Sequence, residues 1–91
     1  MLDYALLSAL AAVIRNGSFD KAAHQLGVTP SAISQRVKLL EERMGVVLII
    51  RGQPCTGTPA GMRLCRHAEE VDLLEHALGS DLGTLAPTQE R

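Results

Sequence analysis

Between Thr29 and Gly45 the run TPSAISQRVKLLEERMG holds the side chains best suited to surface chemistry. Ile33, Val37, Leu40 and Met44 recur at spacings of four, three and four, which stacks them along one side of a 3.6-residue helix as a core stripe. Ser31, Ser34, Gln35 and Lys38 fall on the opposite side. An outward face of small hydroxyls, an amide and a cation suits base edges and phosphates. Thr29 can cap the first turn, and Pro30 takes the first helical position, where a missing N–H costs nothing. Gly45 can supply the left-handed residue that ends the helix.

The other reactive residues converge less well. Cys65, His67 and His76 invite a metal, but Cys65 and His67 are two apart on a helix and point away from each other, so no metal site is expected. His24 stands alone. Without a nucleophile–base pair, a phosphate loop or paired carboxylates, neither an enzyme nor a cofactor is expected. Cys55 lies in a turn where a redox switch is conceivable, and a solvated loop thiol is the simpler reading. The two cysteines do not make a disulfide framework.

The elements that must hold the Thr29–Gly45 helix are legible on both sides. Asp3 begins a helix running to about Asn16, with Leu6, Leu7, Leu10, Val13 and Ile14 on its apolar face and Gly17 as its stop. Ser18 caps a second helix, Asp20 suits its first turn, and Phe19, Ala22, Ala23 and Leu26 form its buried side. Adjacent alanines let two backbones approach closely, and Gly27 allows positive φ in the turn. This describes a helix-turn-helix or an ordinary packed pair. Val46 to Ile50 reads as a strand closed by Arg51, GQPCTG as a turn, and Thr56 to Thr58 as a short return strand. Arg51 at the base of this wing either touches a sugar-phosphate backbone or is a solvated strand end. Thr58-Pro59 opens a last helix to about Leu78. Its Leu64, Ala68, Val71, Leu74 and Leu78 are close to a heptad seam, covered by a second chain or by the first helix. Gly79, Ser80, Gly83 and Pro87 break the pattern, which leaves 80–91 as a frayed tail or linker stump.

The chain has 91 residues, 46% apolar but only 2% aromatic, so its core must be Leu, Ile, Val and Ala, which favours packed helices. A chain this small often gains stability by associating. No apolar run is long enough to cross a bilayer and no cleavable signal is visible, so a cytoplasmic protein without a membrane partner is expected. The net charge of −1 hides an asymmetry. Residues 15–66 hold eight Lys or Arg against three acids, while 67–91 hold six acids against Arg91.

With these pieces assembled, the chain resembles the N-terminal winged helix-turn-helix domain of LysR-type transcriptional regulators. The matching residues are Gly17-Ser18-Phe19, Ala22-Ala23, Leu26, Ser31 through Val37, Leu40-Glu41, Gly45, Leu48, Arg51 and Thr58-Pro59-Ala60-Gly61. Within the family, VTPSAISQRVKLLEE followed by VVLIIRGQPCTGT is similar to the ArgP/LysG branch, whose regulators respond to lysine or arginine. The resemblance implies a mainly α fold: a winged helix-turn-helix domain over 1–58, a linker and dimerisation helix over 59–79, and a tail over 80–91. It implies that Pro30, Ser31, Ser34 and Gln35 meet the major groove, with Thr29 among the DNA-binding residues beside them, that Ser18 and Lys21 approach phosphates, and that Arg36, Lys38 and Arg51 flank the contact. It further implies a homodimer paired through the last helix on double-stranded DNA at a palindromic T-N11-A type site, with RNA polymerase as a further partner.

Three departures accompany the match. Gln35 stands where many members carry Arg, which removes bidentate guanine reading and suits adenine instead. The wing GQPCTG lacks the usual basic pattern. The family's effector domain of roughly 200 residues has no room here, so a cut or naturally truncated chain that does not sense an amino acid by itself is expected. Two functions remain in competition: a sequence-specific DNA-binding module, and a protein-interaction module that heterodimerises with a full-length regulator.

Overall fold

The computed structural model describes residues 2–85. In chain order the elements are α1 (Tyr4–Asn16), α2 (Phe19–Leu26), α3 (Pro30–Met44), β1 (Ile49–Ile50), β2 (Thr56–Gly57) and α4 (Pro59–Leu85). A short polar side chain starts each of the first three helices: Asp3 accepts from the Ala5 amide at 2.9 Å, Ser18 from Lys21 at 3.2 Å and Thr29 from Ala32 at 3.1 Å. Gly17, Gly27 and Gly45 end them in the left-handed conformation, φ 69–71°.

The other elements gather around α1. It packs against α2, α3, α4 and β2, and its Leu6, Leu7 and Ala9 through Val13 are all buried. A helix buried almost all round must be apolar all round, and the alanines at 9, 11 and 12 let its neighbours close in. Ala22 and Ala23 of α2, Ile33, Val37 and Leu40 of α3, and Leu48 and Ile49 complete the core. Met44, placed in the stripe by its spacing, is 44% exposed, because α3 outruns the elements beneath it by its last turn.

The wing is shorter than its sequence suggests. β1 and β2 pair antiparallel, Ile49 with Gly57 and Ile50 with Thr56, whereas Val46 and Val47 are exposed and outside the strand. Side chains serve the backbone there instead. The Glu41 carboxylate accepts from the amides of Leu48 (2.8 Å) and Ile49 (3.3 Å), and the Thr58 hydroxyl donates to the Val47 carbonyl (2.7 Å) while accepting from the Gly61 amide. The Thr58 amide donates to the Leu48 carbonyl at 3.1 Å. Gly61 is buried against that same carbonyl, so closely that a Cβ would collide with its oxygen. Cys55, expected to be solvated, is buried, because its amide donates to the Gly17 carbonyl (2.8 Å) and folds the turn onto the end of α1.

The last helix also differs from its expected length. α4 continues to Leu85 through Gly79, Ser80 and Gly83, so 80–85 is helical rather than frayed, and residues 86–91 of the expected tail lie outside the described residues. Its apolar stripe divides in two. Leu64 and Ala68 pack against the domain's own core and Val71 is partly covered beside α1, while Leu74 (70%) and Leu78 (56%) are bare. Leu73 and Leu82 extend the bare part, and the molecule measures 49 × 24 × 20 Å. No helix among the described residues is long and apolar enough to cross a membrane.

Candidate nucleic-acid interface

The face of α3 that carries Ser31, Gln35 and Lys38 is exposed, as are Thr29 and Pro30 at its start; Ser34 and Arg36 are half-buried at its flanks. The reverse face is fixed. Ile33, Val37 and Leu40 are at most 1% exposed, so α3 cannot roll without opening the core. Burying each such side chain contributes about 1.5–3 kcal/mol. A rigid helix presenting hydroxyl, amide and ammonium groups outward has the chemistry for a groove of the duplex.

Around α3 the cations remain available. Ion pairs among the described residues join Arg15 to Glu69 (3.7 Å), Arg43 to Asp3 (3.8 Å) and His76 to Asp72 (3.6 Å), and none involves Lys21, Arg36, Lys38 or Arg51. Ser18 is half-buried, its oxygen engaged by the Lys21 amide, and its O–H is left to donate outward. Lys21 and Ser18 line a shallow cleft of about 540 Å³ between the start of α2 and the turn 52–55. Arg51 stands at the end of β1 with its guanidinium carbon 4.4 Å from the centre of the Phe19 ring. The geometry thus brings Ser18, Lys21 and Arg51 into one corner.

Three supports of this surface were not apparent in the sequence. The Arg51–Phe19 stack joins residues distant in the chain, and the Glu41 carboxylate reaches past the end of its own helix to the wing. The Asn16 amide donates to Gln25 Oε1 at 2.6 Å and to the Ala12 carbonyl at 2.8 Å, tying α1 to α2. A polar residue just ahead of the helix-ending Gly17 was the one available signal for the last.

The cysteines and histidines form no comparable site. Among the described residues no group of three or more His, Cys, Asp or Glu is placed to hold a metal. Cys65 is a buried residue of α4, and burial, then the Glu69 charge, raises its thiol pKa above the ordinary value against the opposing influence of Arg15.

Residues 4–62 match the family model described as bacterial regulatory helix-turn-helix protein, lysR family. The chain belongs to the LysR family. It is similar to the HTH-type transcriptional regulator ArgP of Pseudomonas fluorescens, strain Pf0-1, with 52% identity over 87 residues, covering 96% of this chain and 28% of the relative. Among solved structures it is similar to ArgP from Mycobacterium tuberculosis, with a TM-score of 0.87 at 49% identity, covering 91% of this chain and 32% of that one. The complex of BenM_DBD with benA site 1 DNA matches with a TM-score of 0.87 at 27% identity, covering 97% of this chain and 100% of that one. The chain therefore spans little more than a quarter of the length of the curated LysR-family relative it matches.

Proposed function

We propose that this chain is the sequence-specific DNA-binding module of a LysR-type transcriptional regulator and that it acts as a dimer on a pseudo-palindromic operator. The observation that carries this reading is the division of α3: Ser31, Gln35 and Lys38 are exposed while Ile33, Val37 and Leu40 lock its back to the core. The fold match to a DNA-binding domain captured on DNA supports it over nearly the whole chain. Gln35 offers one amide donor and one amide acceptor, the pattern that adenine meets in the major groove. Thr29, Pro30, Ser31 and Ser34 share that approach, and Ser18, Lys21, Arg36, Lys38 and Arg51 bind phosphates around it. The bare Leu73, Leu74, Leu78 and Leu82 support pairing through α4, because so much aliphatic surface on one projecting helix suits a partner. No observation favours the alternative of a heterodimerising interaction module.

A titration across salt concentrations, on a palindromic T-N11-A duplex and on random duplex, tests the reading. Gln35→Ala is expected to cost about 1–3 kcal/mol on the specific site and little on random DNA. Lys38→Ala should weaken both and lower the salt slope by about one. Equal losses on both duplexes for Gln35→Ala would refute base reading by α3.

A further inference from the structure

Phe19 is the first residue of α2, directly after the Ser18 cap, and it is half-buried, with part of its surface packed against the core. Its other part lies under Arg51, whose guanidinium carbon is 4.4 Å from the ring centre. One backbone hydrogen bond and one close contact hold the wing in that position. The Cys55 amide donates to the Gly17 carbonyl at 2.8 Å, and Pro54 presses so closely on Gly17 that a Cβ there would come within 2.8 Å of the Pro54 Cβ. Arg51 is thereby delivered to the corner at the start of α2.

A guanidinium laid on an aromatic ring keeps its N–H donors at the edges of its own plane, free for an oxyanion. No carboxylate pairs with Arg51 among the described residues; Asp20 lines the adjoining cleft together with Lys21. An arginine also has many rotamers to lose, and one already stacked has lost them before the ligand arrives. We propose that Phe19 is a positioning residue for DNA binding: its ring holds the Arg51 guanidinium ready for a backbone phosphate beside the start of α2. The assignment rests on the DNA-binding reading and adds to it a residue whose part in binding is indirect. It also separates the ring's two jobs, core packing and support of Arg51.

The test uses the 91-residue chain and a random-sequence duplex, since a phosphate contact is sequence-independent. Phe19→Leu keeps an apolar body and removes the aromatic face. It should weaken binding two- to fivefold in the presence of Arg51 and not at all in an Arg51→Ala background. Phe19→Trp should restore binding, whereas Arg51→Lys, which keeps the charge without the planar stack, should resemble Phe19→Leu. In the free protein the Arg51 δ-methylene protons should be shifted upfield by the ring, and the shift should vanish in Phe19→Leu. An equal loss from Phe19→Leu with and without Arg51 overturns the proposal, as does an unshifted Arg51 in the folded wild type, which needs no variant to fold. Binding that is indifferent to Arg51 removes this proposal alone. A wild type that binds no duplex at low salt removes the DNA-binding reading and the proposal with it.

Discussion

Replacing Gly61 by alanine tests how the wing is seated on α4. Gly61 is the third residue of the helix, and an added Cβ would collide with the Leu48 carbonyl oxygen while lying 3.0 Å from the Leu48 carbonyl carbon and 3.3 Å from its Cα. All three are backbone atoms, so no rotamer change relieves the clash. The wing must step away from α4, which gives up the 3.1 Å hydrogen bond from the Thr58 amide to that carbonyl. Overpacking of this kind costs about 1–3 kcal/mol, the lost hydrogen bond about 1 kcal/mol, and alanine's better helix propensity returns about 1 kcal/mol. The net expectation is a destabilisation of about 2 kcal/mol, or a melting temperature lower by about 10–15 °C in a domain of this size. Gly79 and Gly83 lie in the same helix with nothing within 4 Å of an added Cβ. Alanine at either should raise helicity by favouring the helix by about 1 kcal/mol. Urea and thermal unfolding followed by far-UV circular dichroism measure all three variants. If Gly61→Ala melts at or above the wild type, the close approach of wing and helix is not as described.

Changing Leu74 and Leu78 together to Asp should convert a dimer into a monomer in sedimentation equilibrium while the single chain keeps its helical fold, since both side chains are bare in it, and the melting temperature should fall only by the concentration-dependent part that pairing supplied; a monomeric wild type at high concentration refutes pairing through α4. Glu41→Ala strips the acceptor from the Leu48 and Ile49 amides and should cost about 1–3 kcal/mol in urea unfolding, with Glu41→Gln recovering part because its amide oxygen still accepts. Iodoacetamide should label Cys65 more slowly than a peptide thiol at mildly alkaline pH, because its raised pKa leaves less thiolate, and the rate should climb as pH rises further. Glu69→Gln should speed that labelling and Arg15→Ala slow it; insensitivity to both would contradict the electrostatic account.

The first three helices were legible because their ends are marked by local chemistry: a hydroxyl or carboxylate accepting one amide, and glycine in the left-handed region. The polar face of α3 was legible for another local reason, since helical period alone sorts Gln35 from Val37. The misses share a different cause. Val46 and Val47 have strand propensity, yet their neighbourhood is organised by Glu41 and Thr58, whose reach depends on tertiary placement. Gly79, Ser80 and Gly83 read as breakers, although isolated glycines cost a helix only about 1 kcal/mol each. Leu64 to Leu78 forms one continuous stripe in sequence, and only the point where α4 leaves the domain separates inward from outward positions. Cys55 became buried because the turn folds onto Gly17, and Phe19 met Arg51 across the same junction.

The outer half of α4 stands clear of everything the described chain offers it, while its root is clamped by Thr58, Gly61 and the Leu48 carbonyl. Residues 72–85 make a lever about 20 Å long, so a tilt of about 10° where it leaves the domain sweeps the tip through about 4 Å, about one base-pair rise. If the proposed pair forms, small repacking along the packed half of this helix would be amplified into a different separation between its two α3 helices.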